Sequence, residues 1–205
     1  DTVFDVGVEL GSLRFGLKDI EVGDRAQSVY YNVPVRQTDT FEGRTKELDT
    51  LKEWMEDEDT RFCLIYGDGG FGKTTLALEF LNRLLEGEIE INGKLPSVIS
   101  YYSSKMTRWT SDGLVHFKGV SDAMEDSIRE LLLCLYPVIE KKWYQVSGAE
   151  LIDKVAGELA EQKFKRDDVL LVLDNTETLA TSPEQVEELS VFLTQAREKG
   201  GRIGM

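Results

Sequence analysis

The eight residues Gly67-Asp68-Gly69-Gly70-Phe71-Gly72-Lys73-Thr74 constrain this chain more than any other stretch. Glycine at 67, 69, 70 and 72 lets the backbone turn so that the N–H groups of residues 69–74 converge on one point. A helix starting at Lys73 aims the positive end of its dipole at the same point, which makes the loop a cradle for phosphate oxygens. Lys73 is placed to reach the β- and γ-phosphates of a nucleotide, and the Thr74 hydroxyl to ligate Mg²⁺. The flanks agree with this reading. Arg61-Phe62-Cys63-Leu64-Ile65-Tyr66 reads as a strand and Lys73–Leu81 as a helix, the strand–loop–helix context that a P-loop requires.

A second half of the site follows a hundred residues later. Val169-Leu170-Leu171-Val172-Leu173 is apolar without alternation, as expected of a strand covered on both faces in a parallel sheet. It ends on Asp174-Asn175. A carboxylate at the carboxyl end of such a strand lies where α/β folds bind ligands, and there it can hold Mg²⁺ directly or through water. Asn175 can hydrogen-bond a water but cannot take its proton, so slow turnover is expected. Glu177 is the alternative base. The candidate catalytic residues are therefore Lys73, Asp174 and Asn175, and the candidate Mg²⁺ ligands are Thr74 and Asp174.

Around these motifs the pattern alternates between strand and helix. Residues 1–40 alternate apolar and polar positions between glycines, a β-rich lead-in or a linker from a preceding domain. Leu48, Leu51, Trp54 and Met55 mark a helix that begins at Arg44 and runs into the acidic stretch Glu56–Asp59, a solvated helix end. Pro96–Tyr102 reads as a second strand, followed by a polar connector through Lys105, Thr107, Thr110 and Asp112. Helices are expected over about 121–136 and 147–165, the second opening with the capping box Ser147-x-x-Glu150. Another helix starts at Ser182-Pro183-Glu184-Gln185 and closes at Gly200-Gly201, and Arg202-Ile203-Gly204-Met205 opens a strand. The fold class is α/β, a three-layer αβα arrangement with a mostly parallel sheet, and residues 41–205 form the P-loop domain.

Charge and composition narrow the partners. A net charge of -14, from 38 acids against 24 bases, opposes a general grip on the nucleic-acid backbone, so direct nucleic-acid binding is not expected. No stretch reaches the roughly 18 apolar residues of a membrane helix, and the first residues lack a signal peptide's basic start. Cys63 and Cys134 read as reduced core thiols, and a cytoplasmic module is expected. His116 is the single histidine, and with two distant cysteines it makes no zinc site. Trp54, Trp109 and Trp143 read as packing residues.

Phe41-Glu42-Gly43-Arg44-Thr45-Lys46-Glu47-Leu48 resembles the Phe-x-Gly-Arg-x-x-Glu-Leu segment that precedes the P-loop in STAND ATPases of the NB-ARC and NACHT type and in related AAA+ proteins. Gly67–Thr75, the strand ending at Asp174-Asn175, and Gly201-Arg202-Ile203 follow in the family's order, so the resemblance covers about residues 40–205. It implies that Phe41, Gly43 and Arg44 pack around adenine, and that Gly67, Gly69, Gly70, Phe71, Gly72, Lys73, Thr74 and Thr75 cradle the phosphates. It further implies ATP/ADP with Mg²⁺ as ligands, self-association of the activated module, and sensor and effector domains outside this chain. The Ser103-Ser104-Lys105 segment is similar to that of bacterial members. In the family's sheet the final strand lies between the P-loop strand and the Asp174 strand, and it ends in a γ-phosphate sensor that lies past Met205. The biology implied is defence, cell-death or transcriptional signalling by a nucleotide-gated switch. Two readings stand against it: an AAA+ motor or loader with sustained hydrolysis, and a scaffold that keeps the fold without using nucleotide.

Overall fold

A computed structural model describes residues 8–10, 13–22, 25–36, 40–104, 107–110, 113–116, 119–136, 138–199 and 202–204. Its centre is a seven-stranded sheet. The strands are β1 (Val8–Leu10), β2 (Leu13–Val22), β3 (Arg25–Tyr31), β4 (Phe62–Cys63), β5 (Val98–Ser103), β8 (Val169–Asp174) and β9 (Arg202–Gly204), in the spatial order β1-β2-β3-β5-β8-β9-β4. A separate antiparallel hairpin joins β6 (Thr107–Thr110) to β7 (Gly113–His116). The helices are α1 (Thr45–Glu56), α2 (Lys73–Leu85), α3 (Val120–Leu135), α4 (Gly148–Glu161) and α5 (Pro183–Lys199).

Within this sheet the pairing from β3 through β5, β8 and β9 to β4 is parallel throughout, and β1–β2 and β2–β3 are antiparallel. This is the mostly parallel α/β sheet that the apolar runs predict. β9 lies between β8 and β4, the central place that the resemblance assigns to it. The strands of the lead-in form one edge of the same sheet, because Tyr30 and Tyr31 of β3 pair with Val98 and Ile99 of β5.

Side chains of the central strands divide by parity, as the two-residue period of a strand requires. Val98 and Tyr102 of β5, with Val169, Leu171 and Leu173 of β8, face α3, α4 and α5. Ile99, Tyr101, Leu170 and Val172 face α1 and α2. Both faces of β5 and β8 are thus buried, which is why their sequences show no polar alternation. Each fully buried Leu or Ile in these layers stabilises the fold by roughly 1.5–3 kcal/mol. One charge enters the α2 layer. Glu79 is buried there, and Arg36 (2.9 Å) and Arg83 (2.7 Å) neutralise it, so the segment leaving β3 is tied to the P-loop helix.

Three local expectations change. The connector after β5 is the β6–β7 hairpin, with Trp109 opposite Leu114 and Thr107 opposite His116. The strand before the P-loop is short: among the described residues β4 spans Phe62–Cys63 and pairs Phe62 with Ile203 and Cys63 with Gly204. The Ser147 capping box does not form. Ser147 makes no side-chain cap, and the Glu125 carboxylate of α3 accepts the Gly148 N–H at 2.7 Å instead. At α5 the reciprocal cap does form, with Gln185 N–H donating to Ser182 Oγ and Ser182 N–H donating to Gln185 Oε1.

Candidate functional site

The site is built where β4 and β8 reach the same end of the sheet. After Cys63 the chain turns through the glycine loop, and Gly70 and Gly72 adopt left-handed φ values of 83° and 74°. A Cβ at these positions would strain the backbone, so glycine is what allows the loop to deliver Gly72 as the cap residue of α2. Leu76 N–H donates to the Gly72 carbonyl at 2.9 Å and closes the first turn of that helix.

Lys73 begins α2 and folds back over the loop, its ammonium donating to the carbonyls of Gly67 (2.8 Å) and Asp68 (3.2 Å). Thr74 faces β8, where its hydroxyl lies 3.1 Å and 3.0 Å from the two carboxylate oxygens of Asp174. Residues separated by one hundred positions therefore meet at hydrogen-bond distance. Hard oxygen donors at this spacing suit Mg²⁺, which takes one or two carboxylate or hydroxyl oxygens and fills its other positions with water and phosphate. The chain's Thr74 and Asp174 fit that ion.

Two further side chains converge on the same carboxylate, and Ser103 holds one of them. Tyr101 of β5 donates its hydroxyl to Asp174 Oδ2 at 2.7 Å, and Asn175 Nδ2 lies 3.4 Å from that oxygen and donates to Ser103 Oγ at 2.9 Å. The β5–β8 register, with Ser103 opposite Asp174, brings them there. Burial pushes the Tyr101 phenol far above its ordinary value, and the Asp174 carboxylate adds to the effect, so Tyr101 stays a donor at physiological pH. Asn175 has a φ of 58°, a left-handed conformation that Asn tolerates better than most residues. Glu177 is exposed on the short helix Thr176–Thr178.

A cavity of about 310 Å³ opens beside these groups, with Ile65, Tyr66, Lys73, Leu173, Asp174 and Glu177 among its walls.

The structure joins Arg44 to this centre: its guanidinium donates to the Phe71 carbonyl of the loop at 2.5 Å. Gly43, with a φ of 83°, makes the turn into α1 that permits this reach. The Phe41 ring packs under Arg83 of α2, 5.9 Å from the guanidinium carbon. Gly67, Gly69, Gly70, Phe71 and Gly72 form the loop itself, and Thr75 follows Thr74 in the first turn of α2.

Residues 41–197 match the family model of an ATPase domain predominantly from Archaea. The chain belongs to this family. Its α/β sheet, its glycine loop and its Asp174 strand are those of a P-loop ATPase domain. Two curated proteins are similar over shorter stretches. An uncharacterized WD repeat-containing protein of Nostoc sp. is 36% identical over 63 residues, which are 31% of this chain and 5% of that protein. The transcription activator GutR of Bacillus subtilis is 40% identical over 53 residues, 26% of this chain and 6% of GutR. The ATPase domain thus matches only a small part of the length of either relative. No solved structure matches it significantly. Among the described residues no helix is long and apolar enough to cross a membrane.

Tyr101 and Asn32 escape a reading of sequence motifs. Asn32 is fully buried: its side-chain oxygen accepts the Tyr101 N–H at 2.6 Å, and its amide donates to the Tyr101 carbonyl at 3.2 Å. The nearest signal in the sequence is Asn32 beside the apolar Tyr30-Tyr31 and Val33, a polar residue at the end of a strand. Its partner cannot be named without the β3–β5 register.

Proposed function

We propose that this ATPase domain is an ATP/ADP-dependent switch of the STAND type, hydrolysing slowly and controlling self-association of a larger signalling protein. The observation that carries the proposal is the contact of Thr74 with Asp174, followed by Asn175 where a rapid hydrolase would have a carboxylate base. Lys73, the loop N–H groups and the α2 dipole bind and orient the phosphates. Bound between Thr74 and Asp174, Mg²⁺ would supply charge neutralisation for the β- and γ-phosphates. Asn175 donates to Ser103 and has no basic atom, so it can orient a water but not deprotonate it. Arg44, bonded to the loop at Phe71, is the side chain through which the segment before α1 responds to an occupied loop.

The company of the motif supports a regulatory reading. One relative is named as a transcription activator and the other as a WD repeat-containing protein, both far longer than the shared segment. For a switch, ATP must bind one conformation better than ADP does, because a ligand that binds both states equally shifts nothing. The test is paired: single-turnover hydrolysis of ATP, and the oligomeric state of the whole protein with ADP and with ATP. Turnover at about 1 s⁻¹ or faster, the ordinary range of enzymes, or identical assemblies with both nucleotides, would sink the proposal. Glu177 on the cavity wall favours the motor reading, in which it acts as base. That reading requires sustained hydrolysis abolished by Glu177→Gln.

A further inference from the structure

The Asp174 carboxylate is unevenly occupied. Oδ2 receives the Tyr101 hydroxyl at 2.7 Å, the Thr74 hydroxyl at 3.0 Å and the Asn175 amide at 3.4 Å, whereas Oδ1 receives Thr74 at 3.1 Å. Tyr101 is the shortest of these contacts and comes from the neighbouring strand, so it is independent of the phosphate loop. Its ring is buried at 4% exposure among the residues facing α1 and α2, and cannot swing away without opening that layer. Its main chain is held in turn. β3 and β5 pair through Tyr30 and Tyr31, and Asn32 N–H donates to the Ile99 carbonyl; beyond that the Asn32 carboxamide takes the place of the next peptide, bonding both N–H and carbonyl of Tyr101.

We propose that Tyr101 is a positioning residue for Mg²⁺ binding: by donating to Oδ2 it fixes the Asp174 carboxylate beside Thr74, whose hydroxyl reaches both oxygens, and leaves Oδ1 the less occupied of the two. The proposal rests on the reading of Thr74 and Asp174 as the ion's ligands. A carboxylate can rotate and present either oxygen, and a hydrogen bond from a rigid neighbour selects one orientation; such outer partners are commonly worth about 10- to 100-fold in metal affinity. The chain Asn32–Tyr101–Asp174 also gives the residue that follows β3 a place in the nucleotide site. That place would be second to the ligands themselves.

The experiment titrates Mg²⁺ against binding of a fluorescent ADP analogue, with a reference titration in EDTA. Tyr101→Phe keeps the ring and removes only the hydroxyl. The expected result is a Mg²⁺ midpoint raised about tenfold or more, while affinity for the analogue in EDTA stays within about twofold of wild type. A merely structural hydroxyl would lower thermal stability equally with and without Mg²⁺ and leave the midpoint in place. An unchanged midpoint therefore overturns the proposal. In an Asp174→Asn background the Tyr101→Phe change should have no further effect on the midpoint, and an undiminished effect there would also overturn it. If wild-type binding is itself indifferent to Mg²⁺, the assignment of the ion fails, and this proposal fails with it.

Discussion

Replacing Asn32 by Ala measures how far the strands before the P-loop are part of the ATPase fold. The side chain is fully buried, accepts from Tyr101 N–H at 2.6 Å, donates to the Tyr101 carbonyl at 3.2 Å, and approaches Glu130 Oε2 at 3.5 Å. Truncation leaves two main-chain groups of a central strand without those partners, and water cannot reach them. Each stranded buried group costs about 1–3 kcal/mol, so the loss should be about 3–5 kcal/mol, a large part of a typical stability of roughly 5–15 kcal/mol. At about 2–4 °C per kcal/mol for a chain of this size, the melting temperature should fall by about 10 °C. Asn32→Asp keeps the acceptor but sets a negative charge against the Tyr101 carbonyl and the Glu130 carboxylate, and should do no better than Ala. Ser28→Ala supplies the contrast: its hydroxyl bonds Asp19 at 2.6 Å on the exposed face of the same strands, and its removal should change stability by less than about 0.5 kcal/mol. Urea and thermal melts of the four proteins decide the matter. A loss below about 1 kcal/mol for Asn32→Ala, or equal losses for Asn32→Ala and Ser28→Ala, would refute the reasoning.

Three further outcomes are expected. Lys73→Ala removes an ammonium that contacts only exposed loop carbonyls, so calorimetry should show ATP affinity reduced by about tenfold or more with little change in melting temperature. Asn175→Glu supplies the missing base and should raise single-turnover hydrolysis by about a hundredfold or more, at a stability cost of about 1–2 kcal/mol for placing Glu at a φ of 58°. Burial pushes the Cys134 thiol from 9.0 up to about 12 in the folded protein, so above pH 9 the unfolded chain loses a proton that the folded chain keeps. That contribution is full below about pH 9 and is lost as pH rises toward about 12; Cys134→Ala should flatten this alkaline decline in urea melts.

What could be read along the chain was whatever is local. Four glycines, Lys73 and Thr74 are adjacent, so the loop's conformational needs and its chemistry stand in one stretch of text. The run Val169–Leu173 announces a strand buried on both faces by lacking polar positions, and Asp174 announces itself by ending that run. Less local features are not legible in this way. The β6–β7 hairpin is hidden because Thr107 and Thr110 read as a polar connector, and its evidence is the cross-strand pairing of Trp109 with Leu114. The Ser147 cap was superseded by Glu125, a residue of another helix whose approach no spacing rule encodes.

The sequence by itself determined a phosphate cradle, an acid at the end of a buried parallel strand, and the α/β class, because each depends on neighbours in the chain or on a simple period. Only the tertiary structure decided what surrounds that acid. The register of β5 on β8 sets Ser103 opposite Asp174 and lets Tyr101 reach its carboxylate, and the pairing of β3 on β5 brings Asn32 to Tyr101. Register is fixed by the packing of both sheet faces at once, and a shift of one residue would send Tyr101 to the opposite layer.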